Sequence, residues 1–167
     1  MNSIDITNTT ISYPKPGSDA VAKLDVSAIS PILDKIGEVA TVNKTTAPRL
    51  MAEFNFAYAE TNKLITFLRY EKDRAENLLN LRRSEVLLDI SGEVIRAKGQ
   101  SPNKELRDAV VCLDKEYQKL LEDRAQLEAL VKFLEGQLKA LEFAYQSVKK
   151  IYSDQTNPIS YDFSRGH

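Results

Sequence analysis

Between residues 106 and 152 the apolar positions recur in alternating steps of four and three. They are Leu106, Val110, Leu113, Tyr117, Leu120, Leu127, Val131, Leu134, Leu138, Leu141, Tyr145, Val148 and Tyr152, with Arg124 as the only charged member. A seven-residue repeat of this kind predicts a long helix that winds left-handed around a partner, because a straight helix drifts off such a stripe by ~20° per heptad. Arg124 has two readings: a charged core residue that fixes register or oligomeric state at some cost, or a side chain that reaches past a small neighbour to solvent. A second row runs alongside, through Leu121, Ala125, Ala129, Phe133, Ala140 and Ala144. One partner helix buries one seam, so two adjacent seams predict contact with more than one helix. The expectation is self-association into a ring or bundle, with Leu121, Arg124, Ala125, Phe133, Ala140 and Ala144 as the candidate oligomer interface.

Upstream, Thr46-Ala47-Pro48 opens another long helix, since Pro suits a first turn whose amide has no partner. No proline and only Gly92 follow from Arg49 to Ala97, and apolar residues recur at helical steps from Leu50 to Val94. Lys98-Gly99-Gln100 predicts the stop, with Gly99 able to turn left-handed, and Ser101-Pro102 the restart. So short a connection folds the next helix back antiparallel. Ser30-Pro31 opens a short helix through Val39. Residues 1–24 are rich in Ser, Thr, Asn, Pro and Gly, and read as a flexible or docking arm. Alternation in Ile4, Ile6 and Ile11 leaves a short edge strand open. After Pro158 the tail alternates Ile159, Tyr161 and Phe163, which fits either a frayed end or addition to a neighbour's groove. The expected fold is therefore all-α: a long antiparallel two-helix hairpin, coiled-coil-like, with a short N-terminal helix and extended arms. Its divisions are an arm at 1–24, a short helix and linker at 25–45, the hairpin at 46–153 and a tail at 154–167.

Composition narrows the function classes. A net charge of −1 supplies no global pull toward nucleic acid or membrane. The N-terminus carries no basic region leading into an apolar run, and no stretch approaches a spanning helix, so a cytoplasmic protein without membrane partners is expected. One cysteine, Cys112, and one histidine, His167, leave no disulfide framework, no ordinary zinc site and no histidine base within the chain's body. Phosphate-binding glycine loops are missing. The expectation is a non-enzyme with no cofactor and no metal.

The cations point elsewhere. Arg69, Lys72, Arg74, Arg82 and Arg83 lie along the first long helix; Arg96, Lys98, Lys104 and Arg107 gather at the turn. Interleaved acids favour a salt-bridged surface in a monomer. An oligomer would repeat each basic patch, and phosphate contacts add. Phe67 and Tyr70 stand close enough in sequence to stack on bases. These nine cations are the candidate nucleic-acid contacts.

The run Leu113-Asp114-Lys115-Glu116-Tyr117-Gln118-Lys119-Leu120, followed by Leu127-Glu128, Val131-Lys132-Phe133-Leu134-Glu135 and Leu138-Lys139-Ala140-Leu141, resembles phage recombination mediators of the UvsY type. The resemblance spans roughly residues 48–152 and ends on Lys149-Lys150. Long arms and the lack of a distinct Lys/Arg block in the first helix depart from that pattern. The resemblance implies a helical homo-oligomer that binds single-stranded DNA, helps load a RecA-like recombinase and has no catalysis of its own. The alternative is a structural or assembly protein, a virion or secretion-apparatus component that docks through its arms.

Overall fold

The computed structural model describes residues 9–156. The Ile4 and Ile6 alternation, the tail with Ile159, Tyr161 and Phe163, and His167 lie outside that range. Two strands come first: β1, Thr10–Pro14, and β2, Val21–Asp25, paired antiparallel with Ile11 opposite Leu24 and Tyr13 opposite Ala22. Next come α1, Ser30–Asp34, and a 3-10 turn, Lys35–Thr41. A long helix then runs over 47–97 as α2, Ala47–Glu85, a π turn, Val86–Ile90, and α3, Ser91–Ala97. The chain returns through α4, Lys104–Leu113, and α5, Lys115–Thr156.

α2 and α5 pack along each other and hold most of the core. Phe54, Ala57, Ile65, Leu68 and Ala75 from α2 meet Leu127, Leu130, Leu134, Leu141 and Val148 from α5. The N-terminal segment lies against one side of this pair. Tyr13 of β1 stacks edge-on against Phe67 of α2, with ring centroids 5.8 Å apart and planes at 83°. The Lys119 ammonium of α5 pairs with Asp19 and donates to the Ser18 carbonyl at 2.9 Å. At the other end Gln155 donates to the Val42 carbonyl, and Lys35 pairs with Glu53 at 2.6 Å. Ile11, Tyr13, Val26, Ile29 and Ile32 thereby join the helical core.

The all-α, two-helix coiled-coil hairpin expected from the sequence is corrected in three places. First, part of the expected N-terminal arm is a β-hairpin seated on the helices. Pro14 closes a strand instead of breaking one, and Pro16-Gly17 make the turn, with Gly17 at φ +78°. Second, the return helix is broken. Asp114 takes an extended backbone, with ψ 121°, and its carboxylate accepts the Tyr117 amide at 2.8 Å. It therefore caps a new helix in the middle of the heptad stripe. Third, the buried seam of α5 follows that stripe only in part. Leu120, Leu127, Val131, Leu134, Leu141 and Val148 are buried, but so are Asp123, Leu130 and Ala144 on the neighbouring row. Arg124, Leu138, Tyr145 and Tyr152 are only half-buried. α5 is covered both by α2 and by the N-terminal segment, which widens its buried face beyond a two-helix seam.

Local signals set the ends. Helix α2 begins at Ala47 with Pro48 in its first turn, as the sequence predicts. The Thr46 hydroxyl does not cap it; that oxygen accepts the Asn43 amide at 3.1 Å, while Asn43 Oδ1 accepts the Thr45 and Thr46 amides. Gly99 at φ +72° ends α3, with its amide on the Arg96 carbonyl and that of Gln100 on the Ile95 carbonyl. The restart falls at Asn103 rather than Ser101, because Asn103 Oδ1 accepts the Leu106 amide at 2.9 Å.

Gly17 gives the first testable consequence. A β-carbon there would stand 3.0 Å from Leu78 Cδ1, on a backbone that L-residues resist. Gly17→Ala is expected to lower unfolding free energy by about 1–2 kcal/mol. Urea denaturation checks this, and an unchanged midpoint would mean that the turn is not held against α2.

Candidate docking surfaces

Three surfaces emerge: the side covered by the N-terminal segment, the opposite side of the helix pair, and the outward face of α5. The covered side holds two buried acids. Asp123 is 6% exposed and Glu71 is 7% exposed, and neither Asp123 Oδ2 nor Glu71 Oε2 has a hydrogen-bond partner. Burial pushes the Asp123 carboxyl above the usual carboxylate range, opposed by the Lys119 charge. Burial and the nearby Glu71 charge raise the Tyr13 phenol. A carboxyl whose pKa is higher folded than unfolded binds its proton more tightly in the folded state. Its favourable contribution is full below the unfolded value and lost as pH rises through the folded one. Asp123→Asn is therefore expected to raise the denaturation midpoint at neutral pH, with the gain vanishing toward about pH 3. Equal effects at both pH values would contradict a buried, reluctantly charged Asp123.

The opposite side is laced with ion pairs between the two helices. Arg69 meets Glu135 at 2.7 Å, and Arg124 meets Glu76 at 3.4 Å. Arg124 thus turns its charge toward its own hairpin, with its Nε shielded from water and without a hydrogen-bond partner among the described residues. Beside these pairs Tyr58 and Tyr145 flank Phe54 and Leu141 around a small cleft of about 180 Å³.

The other expected nucleic-acid contacts are scattered, and half of them are paired with acids. Lys72 lies 4.0 Å from Asp73, and Arg74 lies 3.8 Å from Glu71. Arg83 meets Asp108 at 3.0 Å. Arg82 forks onto Asp114, with Nε–Oδ1 at 3.0 Å and Nη2–Oδ2 at 2.8 Å, and its Nη1 stands 3.3 Å from both Glu85 and Glu116. The fork raises the Arg82 pKa and lowers that of Asp114. Arg96, Lys98, Lys104 and Arg107 stay at the hairpin tip, where Asp89, Glu93 and Glu105 stand among them in sequence. The edge of Phe67 against Tyr13 leaves Tyr70 as the more exposed of the two expected stacking rings. Five of the nine expected cations, Arg69, Lys72, Arg74, Arg82 and Arg83, thus stand within 4.0 Å of acids of the same chain, while Arg96, Lys98, Lys104 and Arg107 make no ion pair among the described residues.

The outward face of α5 differs from both sides. Gln118, Glu122, Ala125, Ala129, Lys132, Gly136, Lys139 and Phe143 are all exposed. Phe143 is 71% exposed, with Leu121 and Phe133 at the margins at 43% and 40%. Of the expected interface residues, Leu121, Ala125 and Phe133 stay exposed and Ala140 half-buried, while Ala144 turns inward to the core. The sequence missed Gly136 and Phe143, which only the true position of the buried seam places on this face. Packing among the described residues does not require Gly136, since a β-carbon there would meet nothing of theirs within 4 Å.

Among the described residues no group of three or more His, Cys, Asp or Glu side chains could hold a metal ion. Cys112 is exposed, at the end of α4. No described helix is long and apolar enough to cross a membrane. No known protein family, curated protein or solved structure matches the chain. The phage character implied by the resemblance has no support from relatives.

Proposed function

We propose that the protein is a non-enzymatic, self-associating scaffold of the assembly type, acting in the cytoplasm. One observation carries this reading: the outward face of α5 keeps Ala125, Ala129, Gly136 and Phe143 in solvent along a helix whose other sides are covered or ion-paired. A mid-helix glycine costs about 1 kcal/mol relative to alanine, and here no contact among the described residues asks for it. Ala125, Ala129, Gly136 and Phe143 share this face with Gln118, Glu122, Lys132 and Lys139, and exposed apolar surface set among polar residues marks interaction sites. Several of the described ion pairs join separate elements, as Lys35–Glu53 does, where hydrogen bonds from Lys35 and Arg49 hold the Glu53 carboxyl below its usual range. A single exposed thiol fits a reducing compartment.

Light scattering on the purified chain tests the reading. The expected mass exceeds the 18.8 kDa of one chain and rises with concentration. A mass fixed at one chain up to about 200 µM, where even weak contacts form, would overturn it. Tight, steeply salt-dependent binding of a single-stranded oligonucleotide would also overturn it, because the free cations would then have a use that the scaffold reading does not give them.

A further inference from the structure

We infer that α5 pairs with α5 of a second copy, antiparallel, about a two-fold axis level with the Leu130–Val131 peptide; this rests on the scaffold reading and names its partner. The outward row of α5 steps from Gln118 to Phe143 by four, three, four, three, four, three, four. That spacing reads the same in both directions. An antiparallel second copy therefore places every member of the row level with another member. Ala125 falls opposite Gly136 of the second copy, Ala129 opposite Lys132, Glu122 opposite Lys139, and Gln118 opposite Phe143.

Each pairing is chemically matched. The two Ala125–Gly136 layers flank the axis symmetrically and let the helix backbones approach closely, which explains a glycine that no contact among the described residues needs. Lys132 is drawn back along its own helix by Glu128 at 2.9 Å, so its methylenes lie over the Ala129 layer. Glu122 and Lys139 have opposite charge; among the described residues Lys139 makes no ion pair and Glu122 accepts only from Gln126. The two-fold axis makes each of these pairs twice. Phe143, the most exposed aromatic side chain of α5, gains cover from the Gln118 turn of the second copy, where Leu121 also stands. A parallel pair would put Glu122 against Glu122 and Lys139 against Lys139, and is disfavoured by like charges.

The contact area sets the expected strength. A strip ~48 Å long over residues 115–146 and ~12 Å wide buries about 580 Å² per copy, near the lower limit for a specific interface. The dimer is accordingly expected to dissociate at micromolar concentrations.

Charge reversal and cross-linking test the pairing on the full chain. Glu122→Lys alone and Lys139→Glu alone each create two like-charge contacts, and each is expected to weaken the dimer at least tenfold by light scattering or sedimentation. The double variant is expected to restore it. In a Cys112→Ser background, Ala125→Cys with Gly136→Cys is expected to give a disulfide-linked dimer under mild oxidation. Either cysteine alone is expected to give none, because its two-fold mate lies ~16 Å away along the axis. Helicity by circular dichroism identifies any variant that fails to fold. An oligomer that ignores the reversals and forms no cross-link overturns this pairing while leaving the scaffold reading intact. A wild-type chain that stays at 18.8 kDa overturns both.

Discussion

Phe54→Ala is expected to lower the unfolding free energy by roughly 3–5 kcal/mol, the largest loss from any single truncation in this chain. Phe54 is wholly buried and heads the fully buried side chains by volume. It lies in the α2–α5 seam, beside Leu141 and Tyr145. Removing the ring forfeits its transfer energy and leaves a cavity that both helices would have to shift to fill. A domain of this kind is stable by about 5–15 kcal/mol, so the loss takes a third or more of the total. Phe56 supplies the control, being the same residue type two positions on and 50% exposed. Phe56→Ala is expected to stay within about 0.5 kcal/mol of the parent. Denaturant midpoints at constant slope measure both. Similar losses at the two sites would mean that α2 is rotated about its axis from the position described, or that Phe56 is covered by a partner.

That pair also shows what the sequence could and could not carry. Helical steps through Leu50, Phe54, Ala57 and Leu68 were readable because a 3.6-residue period is local. Gly99 and Thr46-Ala47-Pro48 were readable because turn and helix-start chemistry is local too. The β-hairpin was not, although Ile11, Tyr13, Ala22 and Leu24 alternate as strand residues do. Five-residue strands separated by Pro16 and Gly17 look like a broken loop until α2 and α5 supply a surface for them. That surface is non-local, and so is its effect: covering a second side of α5 moves the buried rows toward Asp123, Leu130 and Ala144. The heptad stripe was real in spacing and displaced in facing.

The candidate sites divide in the same way. Residue type and position along a helix are visible in a sequence, but the partner of a cation is not. Arg69 and Arg83 find acids 66 and 25 residues away. Arg124 looked like a defect in an oligomer seam because Glu76 lies on another helix. Gly136 and Phe143 carry no such mark in the sequence, because their face is defined only by what the rest of α5 buries. The outward row's symmetric spacing needed no structure to count, yet it had no meaning before the structure showed that this row is the one left open.

Arg82→Ala is expected to loosen one end of the molecule and leave the other unchanged. Both antiparallel chains depart from regular α-helix at the same level: the π turn Val86–Ile90 in the outgoing one, and the extended Asp114 in the returning one. Arg82 joins them through its fork on Asp114, and the same carboxylate caps α5 through the Tyr117 amide. The side chains are 22% and 15% exposed, so the pair is shielded enough to exceed an ordinary surface bridge. Its loss, leaving a half-buried carboxylate with one fewer pair of donors, is expected to cost about 1–3 kcal/mol. Because Asp114 has its pKa lowered on folding, the stabilisation is present above the unfolded value near 3.9 and fades as pH falls through the folded one. The mutation's penalty should therefore shrink in acid. Arg82→Lys should recover little, since an ammonium cannot reproduce two parallel bonds. Amide hydrogen exchange gives the decisive reading. Acceleration confined to residues 86–113, with the α2–α5 body protected as before, identifies Arg82 and Asp114 as the brace of the tip. Uniform acceleration, or none, would mean that the two interruptions are held by apolar packing alone and that the fork is incidental to them.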